Sequence, residues 1–452
     1  MRWHAELAWT GDGLAEDVLI EASGGRFTAI RPGTPRPSDA FRLPGLTLPG
    51  FANTHSHAFH RALRGRVQHR QGTFWTWRER MYALAARLTP DGYFRLARGV
   101  YGEMARAGIT CVGEFHYLHH KPDGTPYDEP NAMGEALLAA AAEAGIRITL
   151  LDALYLRGGY GKELEGVQLR FGDGDARAWA RRVSALRSRA LTRPHARVGA
   201  AVHSVRAVPR EQIPTVAAWA REHAAPLHVH LSEQRAENEE CLAEHGISPA
   251  RLLAEAGALG PRTVVVHATH VTAADLDLLA GTSTGVCLCP TTERDLADGI
   301  GPAAAFRDAG CDLTLGTDQH VSTDMCAEAR AVEWGERLKS GKRGTFTAFE
   351  LLTAATSTGH EALGWPDAGR LEPGARADLV TIALDSLPLT GTDPALAAES
   401  AVFTATPSTI HHVVASGRTI VRNSHHLLLP HLEPNLNTTI QDLWSTLTPL
   451  SP

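Results

Sequence analysis

The stretch TVVVHATH, residues 263–270, is a continuous apolar run that leads into a histidine. A short run of this kind is typical of a strand buried on both faces of a parallel sheet. Eight strands that alternate with helices would predict an α/β fold, the (β/α)8 TIM barrel. Seven other β-rich runs do recur between segments with helical periodicity: LTLPGFANTHSH (46–57), ITCVGEFH (109–116), IRITLLDALY (146–155), RVGAAVHSV (197–205), APLHVHLSE (225–233), TGVCLCP (284–290) and DLTLGTDQH (312–320). An open doubly wound sheet is the alternative, and the lack of a G-x-G-x-x-G loop after the first strand disfavours it.

The two ends of the chain differ from the predicted barrel, since both contain short strand-like runs separated by Gly-rich turns. Because the termini of a domain often lie close together, these runs are expected to pair into one small β-sandwich domain. We therefore predict three parts: a composite β-sandwich from residues 1–48 and 366–430, a catalytic metal-dependent barrel at 49–365, and a C-terminal helix and tail at 431–452.

Composition and charge exclude several classes of function. The 452-residue chain has a net charge of −6, so neither nucleic acid nor a membrane is expected as a partner. It shows neither a signal peptide nor an apolar run long enough to span a bilayer, which predicts a cytoplasmic protein. The six scattered cysteines fit reduced thiols, and the pair Cys287 and Cys289 could bind metal but is better explained as part of a buried strand. A homodimer is expected, because it is the commonest soluble assembly.

The stretch PGFANTHSHAFHRALRG, residues 49–65, contains three histidines. Side chains alternate faces along an extended segment, so His55 and His57 point the same way and could share one ion. A histidine-rich solvated turn is the alternative explanation. Two ligands do not complete a metal site, so other parts of the chain would have to supply the remaining ligands.

Polar residues also end other predicted strands, and a barrel places its site where the C-terminal strand ends meet. Once buried, histidines in apolar strands need partners, and a shared cation would provide them. For each residue taken alone there is an alternative: a strand-end histidine can be a packing residue, and the aspartate can simply form a turn. Histidine nitrogens with one carboxylate suit zinc, and iron or manganese less well. The residues are His55 and His57, then His228 and His230 with Glu233 after them, then His267, and finally Asp318.

This set of residues predicts a catalytic rather than a structural metal site. With His55, His57, His230 and Asp318 around one ion, a coordination position stays open for a water molecule that the metal would acidify. Glu233 is then placed to carry a proton to a leaving nitrogen. A structural zinc site would more often close with four ligands rich in cysteine.

The segment AFHRALRGRVQHRQGTFWTWRERMY, residues 58–82, suggests a small anionic substrate. It holds one acid, Glu79, against six arginines: Arg61, Arg64, Arg66, Arg70, Arg78 and Arg80. A solvated helical face whose arginines pair with acids elsewhere is the alternative. Arg206, three residues after His203, is a further cation at the expected barrel mouth, and guanidinium suits bidentate binding of carboxylate.

These motifs carry a family resemblance. The order H-x-H, H-x-H-x-x-E, VVHATH and GTD, followed by GRLEPGARADLV, resembles the amidohydrolase superfamily in its mononuclear deaminase branch. Within that branch, FWTWRERMY, EFHYLHH, HSVRAVP, CPTTERDLADGI and GTDQHVS resemble the N-formimino-L-glutamate deiminases of histidine degradation, over nearly the whole chain.

The resemblance implies a role for each matching residue. One zinc ion per chain would be held by His55, His57, His230 and Asp318. Proton transfer falls on Glu233, with His267 and Asp318 assisting at the attacking water. Substrate contacts fall on Arg78, Tyr117, His203 and Arg206, and on His60, which stands where the family has a glutamine.

The implied reaction is hydrolytic deamination of N-formimino-L-glutamate to N-formyl-L-glutamate and ammonia. A superfamily deaminase that acts on an aminated heterocycle such as guanine or cytosine is the first alternative. A metal-bearing scaffold without catalysis is the second, and it is disfavoured because no ligand or proton-transfer residue is missing.

Overall fold

The structure, a computed structural model, describes residues 1–11, 13–68 and 74–445. Two sheets account for all the strands in these ranges. The strands are β1 (Arg2–Thr10), β2 (Gly13–Ser23), β3 (Arg26–Arg31), β4 (Phe41–Pro49), β5 (Phe51–Ser56), β6 (Ile109–His116), β7 (Arg147–Leu154), β8 (Ala196–Val202), β9 (Leu227–Leu231), β10 (Thr263–His267), β11 (Gly285–Leu288), β12 (Leu313–Leu315), β13 (Leu379–Ile382), β14 (Ile410–Ala415), β15 (Arg418–Arg422) and β16 (His425–His426).

Strands β5 to β12 form a parallel sheet in chain order, which confirms the predicted (β/α)8 barrel. The sheet closes between its first and last strands through a parallel bridge of Ser56 with Asp318. Two main-chain hydrogen bonds flank that bridge: Asp318 N donates to His55 O at 3.0 Å, and His57 N donates to Asp318 O at 3.0 Å. The residues that close the barrel are therefore the ones expected to bind metal.

Helices surround the barrel and fill the connections between its strands. Several begin at the residues that cap helices well; Thr89, for example, accepts a hydrogen bond from Gly92 N at 3.1 Å ahead of Pro90. None of the described helices is long and apolar enough to cross a membrane. The α-helices are α1 (Phe74–Ala85), α2 (Pro90–Arg106), α3 (Ala132–Ala144), α4 (Ala176–Ala190), α5 (Ile213–Glu222), α6 (Arg235–His245), α7 (Pro249–Glu255), α8 (Ala273–Gly281), α9 (Pro290–Asp295), α10 (Ala303–Asp308), α11 (Met325–Ser340), α12 (Ala348–Ala355), α13 (Ser357–Ala362), α14 (Ala397–Thr404) and α15 (Leu432–Trp444).

The two chain ends build the second sheet, as the sequence predicts. Its order is β16-β15-β14-β13-β4-β1-β2-β3, so N-terminal and C-terminal strands meet where β13 pairs with β4. The edge strand β3 contacts the segment that precedes β13. Phe27 N donates to Ala375 O at 2.9 Å. The sheet thus folds over a small core of its own, which includes Trp3, Ile20 and Leu43.

The predicted first strand, 46–57, is two strands in the structure. The chain leaves the small sheet at Pro49 and enters the barrel at Phe51. Gly50 lies at this change of sheet, and a Cβ there would lie 2.5 Å from the Thr110 side chain, so a larger residue would not fit. We propose that the chain divides into two structural units at this point and again between α13 and β13. The C-terminal helix α15 ends at Trp444, and the predicted tail beyond residue 445 lies outside the described residues.

A buried ion pair joins the barrel to the small sheet. Arg147 begins β7, and Asp378 immediately precedes β13. Arg147 Nη1 donates to Asp378 Oδ1 at 2.9 Å, and Ser416 N donates to the same oxygen at 2.7 Å. Burial opposes ionisation of the carboxyl, but the adjacent guanidinium outweighs it and lowers the pKa of Asp378.

Removal of one partner of this pair should destabilise the protein more than removal of both. We expect Arg147→Met to reduce the free energy of unfolding by about 3–5 kcal/mol, because it leaves the buried carboxylate of Asp378 without a cation partner. The double variant Arg147→Met with Asp378→Leu should recover part of that loss, since no unpaired charge is left. Denaturant unfolding of the three proteins measures this, and equal losses in the single and double variants would contradict it.

Candidate metal centre and active site

Four side chains from three barrel strands converge at the C-terminal end of the barrel. His55 and His57 come from β5 and the residue after it, His230 from β9, and Asp318 from the turn after β12. His55 Nε2 and His57 Nε2 each lie 3.4 Å from Asp318 Oδ1. His230 Nε2 lies 3.1 Å from His55 Nε2. All four residues are buried, so three imidazoles and one carboxylate share a small volume away from water.

The orientation of two of these histidines is set by the main chain. His57 Nδ1 lies 2.9 Å from Phe115 O, and His230 Nδ1 lies 2.8 Å from His203 O. A carbonyl only accepts, so each Nδ1 carries the proton and each Nε2 presents a lone pair to the shared volume. Burial and the neighbouring imidazoles lower the pKa of both histidines, which favours the neutral form that binds metal.

The donor set fits a divalent metal ion. Lone pairs of His55 and His230 that face each other at 3.1 Å repel unless a proton or a cation lies between them. Three imidazole nitrogens with one carboxylate are ligands that zinc and similar ions prefer. His228, two residues before His230, is not part of this set; its Nε2 lies 3.4 Å from Ala362 O.

Two candidates for proton transfer lie beside these ligands. His267 ends β10, and its Nε2 lies 3.8 Å from Asp318 Oδ2 and 3.9 Å from Glu233 Oε1. Burial raises the pKa of Glu233. Burial alone would lower the pKa of His267, but the charges of Glu233 and nearby carboxylates outweigh it and raise that pKa well above its usual value. A carboxylate and an imidazole that lie side by side next to the metal ligands are suited to moving a proton.

The strand ends at this site adopt unusual backbone conformations. Positive φ angles occur at Ser232 (50°), His267 (68°), Ala268 (50°), Asp318 (44°) and His320 (57°). Non-glycine residues adopt this region at a cost, and such residues concentrate at functional sites. The residue types in these strands did not indicate this feature, because none of them is glycine.

The predicted substrate contacts line one pocket together with three of the four candidate metal ligands. His60, in a short 3-10 helix after β5, lies with its Nε2 3.1 Å from Tyr117 Oη, and burial lowers the pKa of His60 to about 3. The guanidinium of Arg206 forms no hydrogen bond or ion pair with any residue in the described ranges. The lining includes His57, His60, Arg78, Tyr117, His203, Arg206, His230, Glu233, His267 and Asp318.

The arginines of segment 58–82 have different roles from one another. Arg61 Nε and Arg64 Nη1 both pair with Glu103, at 2.6 Å and 2.8 Å, so these two fit the alternative of arginines paired elsewhere. Arg66 lies over the ring of Trp444. Arg78 lines the pocket, with its guanidinium over the ring of Tyr82, and Arg70 lies outside the described residues.

Sequence reasoning missed a carboxylate on the far side of His267. His267 Nδ1 lies 3.4 Å from Glu293 Oε1, and Cys289 N donates to the same oxygen at 2.9 Å. The motif CPTTERDLADGI places this glutamate just after the seventh barrel strand, which is where a search for acids at strand ends could have found it. Sequence reasoning also missed the aromatic walls of the pocket, which are formed by Trp77, Tyr82, Tyr155 and Phe171.

A second histidine cluster lies outside the pocket and is explained by an ion pair. His116, His119 and Asp152 lie close enough to offer three ligand atoms. The guanidinium of Arg182, however, donates to both oxygens of Asp152, at 2.8 and 2.9 Å. A cation already neutralises that carboxylate, so the cluster does not need a metal ion.

Comparison with known proteins agrees with this geometry. The sequence profile described as amidohydrolase family matches residues 46–420. The chain is similar to formimidoylglutamate deiminase of Pseudomonas aeruginosa, with 38% identity over 93% of this chain and 95% of that one. It is also similar to 5-methylthioadenosine/S-adenosylhomocysteine deaminase of Halobacterium salinarum, with 30% identity over 90% of this chain and 88% of that one.

Among solved structures, an amidohydrolase from Brucella melitensis superimposes with a TM-score of 0.91 and 32% identity, covering 98% of this chain and 99% of that one. The profile match covers most of the chain, and the similarity to the relatives extends over nearly all of it. The chain belongs to the amidohydrolase family, and it is a metal-dependent hydrolase that acts on C–N bonds.

Proposed function

We propose that this enzyme hydrolyses N-formimino-L-glutamate to N-formyl-L-glutamate and ammonia. The observation that carries the proposal is the pocket itself, where Arg78 and Arg206 line the same cavity as Glu233 and three of the four candidate metal ligands. A substrate with two carboxylates and a hydrolysable C–N group matches both halves of this cavity. The similarity to the formimidoylglutamate deiminase of Pseudomonas aeruginosa supports the same substrate.

We propose His55, His57, His230 and Asp318 as the residues that hold one zinc ion, with iron or manganese less favoured by the donor set. When bound there, the metal would supply Lewis acidity and lower the pKa of a water molecule toward neutrality. The cytoplasmic location and the homodimer expected from the sequence stay predictions.

The chain's own residues would move the protons of the reaction. Water adds to the formimino carbon, so that a C–O bond forms and the C=N π bond breaks. Glu233 accepts a proton from the attacking water and delivers it to the formimino nitrogen, while His267 and Asp318 hold the water in place. Glu233 then moves a second proton, from the new hydroxyl group to the amino nitrogen. The C–N bond breaks, ammonia leaves, and the hydroxyl oxygen becomes the carbonyl oxygen of the formyl group on the glutamate.

Binding and orientation of the substrate fall on the pocket wall. Arg78 and Arg206 are proposed to bind the two carboxylates, because guanidinium pairs with carboxylate in a bidentate manner. His60, Tyr117 and His203 are proposed to contact the rest of the molecule. His60 is neutral when buried, so it can act there as a hydrogen-bonding group without adding charge.

A deaminase of an aminated heterocycle is the second candidate. The aromatic walls of the pocket favour it, since Trp77, Tyr82, Tyr155 and Phe171 could stack on a flat ring. The deaminase relative of Halobacterium salinarum supports it as well. Two guanidinium groups in the pocket disfavour it, because neutral heterocycles do not need them.

Ammonia release by the zinc-loaded enzyme is the first test. We expect rapid release from N-formimino-L-glutamate with formation of N-formyl-L-glutamate, and none from guanine or cytosine. Turnover of a heterocycle without turnover of the glutamate derivative would contradict the proposed substrate and favour the second candidate.

Replacement of the pocket arginine on α1 tests recognition of the carboxylate. We expect Arg78→Met to raise KM on the order of 30-fold, which corresponds to about 2 kcal/mol for a lost charged hydrogen-bond pair. Arg80→Met is the matched control, because Arg80 is on the same helix but does not line the pocket. Steady-state kinetics measure both, and an unchanged KM in Arg78→Met would argue against the dicarboxylate substrate.

Replacement of Glu233 separates proton transfer from metal binding. We expect Glu233→Gln to lower kcat by about 10²- to 10⁴-fold, because the amide cannot carry the proton. Its zinc content, measured by atomic absorption, should match that of the unmodified enzyme, whereas His230→Ala should lose metal. Loss of zinc in Glu233→Gln would mean that Glu233 is a ligand and not the proposed acid and base.

A further inference from the structure

A fully buried arginine outside the pocket has no carboxylate partner. Arg170 lies at the end of a short 3-10 helix, Gly166–Arg170, in the connection between β7 and α4. Its guanidinium donates to Leu88 O at 2.6 Å and to Ala85 O, and its Nε donates to His120 O at 2.9 Å. The other acceptor is Tyr127 Oη at 3.2 Å. These acceptors are all neutral, and no acid within ion-pair distance is found among the described residues.

Ala85 is the last residue of α1, and Leu88 lies in the turn that follows it, directly before the N-cap of α2. The last carbonyls of a helix lack partners within the helix and carry partial negative charge, so a cation placed there stabilises them. Arg170 therefore holds the end of α1 by charge and by hydrogen bonds together. Arg147, which is fully buried as well, instead pairs with Asp378 and lies at the opposite end of the barrel.

Helix α1 is one wall of the pocket. Trp77, Arg78, Met81 and Tyr82, all within α1, line the cavity. The side chain of Gln168, two residues before Arg170, donates to Tyr82 Oη at 2.9 Å. The same short turn thus contacts the last turn of α1 twice, at Tyr82 and at Ala85.

The turn also contacts the pocket walls that come from the barrel strands. Phe171, next to Arg170, packs against Tyr117 and Tyr155, with ring centroids 5.1 and 5.2 Å apart. His119 N and His120 N both donate to Arg170 O, at 3.0 and 2.9 Å. The turn is consequently fixed to the barrel on one side and to α1 on the other.

We propose that Arg170 is a positioning residue that sets the distance of α1, and with it Arg78, from the barrel mouth. The role rests on the proposed function, because it acts on substrate binding by Arg78. Arg170 itself touches neither the metal ligands nor the pocket. Its loss should therefore weaken binding of the anionic substrate and leave the chemical step intact.

Arg170→Lys is the first test, since lysine keeps the charge but cannot donate in a fork to separate carbonyls. We expect KM for N-formimino-L-glutamate to rise about tenfold, with kcat and zinc content within about twofold of the unmodified enzyme. Amide hydrogen exchange of α1 should become faster in the same variant. Arg147→Lys is the matched control, and it should lower stability without changing KM or exchange in α1.

A milder variant keeps the inference testable if Arg170→Lys does not fold. Gln168→Ala removes the contact to Tyr82 without touching a buried charge, and we expect it to raise KM about threefold with kcat unchanged. An unchanged KM in a folded Arg170→Lys or Gln168→Ala protein would overturn the proposal, as would an equal rise in KM for Arg147→Lys. If Arg78→Met raises KM and these variants do not, the positioning role fails while the proposed function stands.

Discussion

Closure of the barrel and assembly of the candidate metal centre are the same event in this protein. The main chain of Asp318 hydrogen-bonds to both His55 and His57, and its side chain lies 3.4 Å from both imidazoles. The approach is close enough that a Cβ on Gly316 would lie 2.7 Å from His55 Cβ, so glycine is required at that position. Ligands that are far apart in sequence therefore meet only when the first and last strands pair.

A buried polar network supports this junction from behind. Asn53 Nδ2 donates to Thr317 Oγ1 at 2.7 Å, and Thr317 N donates back to Asn53 Oδ1 at 2.9 Å. Ser56 Oγ donates to Glu114 Oε2 at 2.7 Å, and burial raises the pKa of Glu114 to about 8. A carboxyl that is neutral near pH 7 can stay inside the barrel without a cation partner. The network ties β5 to β6 and to the turn after β12, so the ligands are held by strands on both sides of the junction.

The sequence was sufficient for the barrel and for the positions of the polar strand ends, because apolar runs and their terminal histidines are local patterns. It was not sufficient where the partner is distant. Arg61 and Arg64 could not be separated from Arg78 by composition, since the acid that pairs with the first two is Glu103 on another helix. Glu293 follows the seventh barrel strand in the sequence, but its contact with His267 is visible only in the folded chain. The split of segment 46–57 at Gly50 depends on Thr110, which belongs to the next barrel strand.

The proposed metal ligands and the proposed recognition residues are supported in different ways. Of the proposed metal ligands, His55 and His230 are on barrel strands, whose hydrogen bonds to neighbouring strands fix them. Arg78 is on a helix inserted between β5 and α2, and Arg206 is on a connection after β8. Segments of this kind can change without loss of the barrel, which is how one fold supports many substrates. Such segments have no strand pairing to hold them in place, so contacts like those of Arg170 to the end of α1 must supply the rigidity that the barrel supplies to the metal ligands.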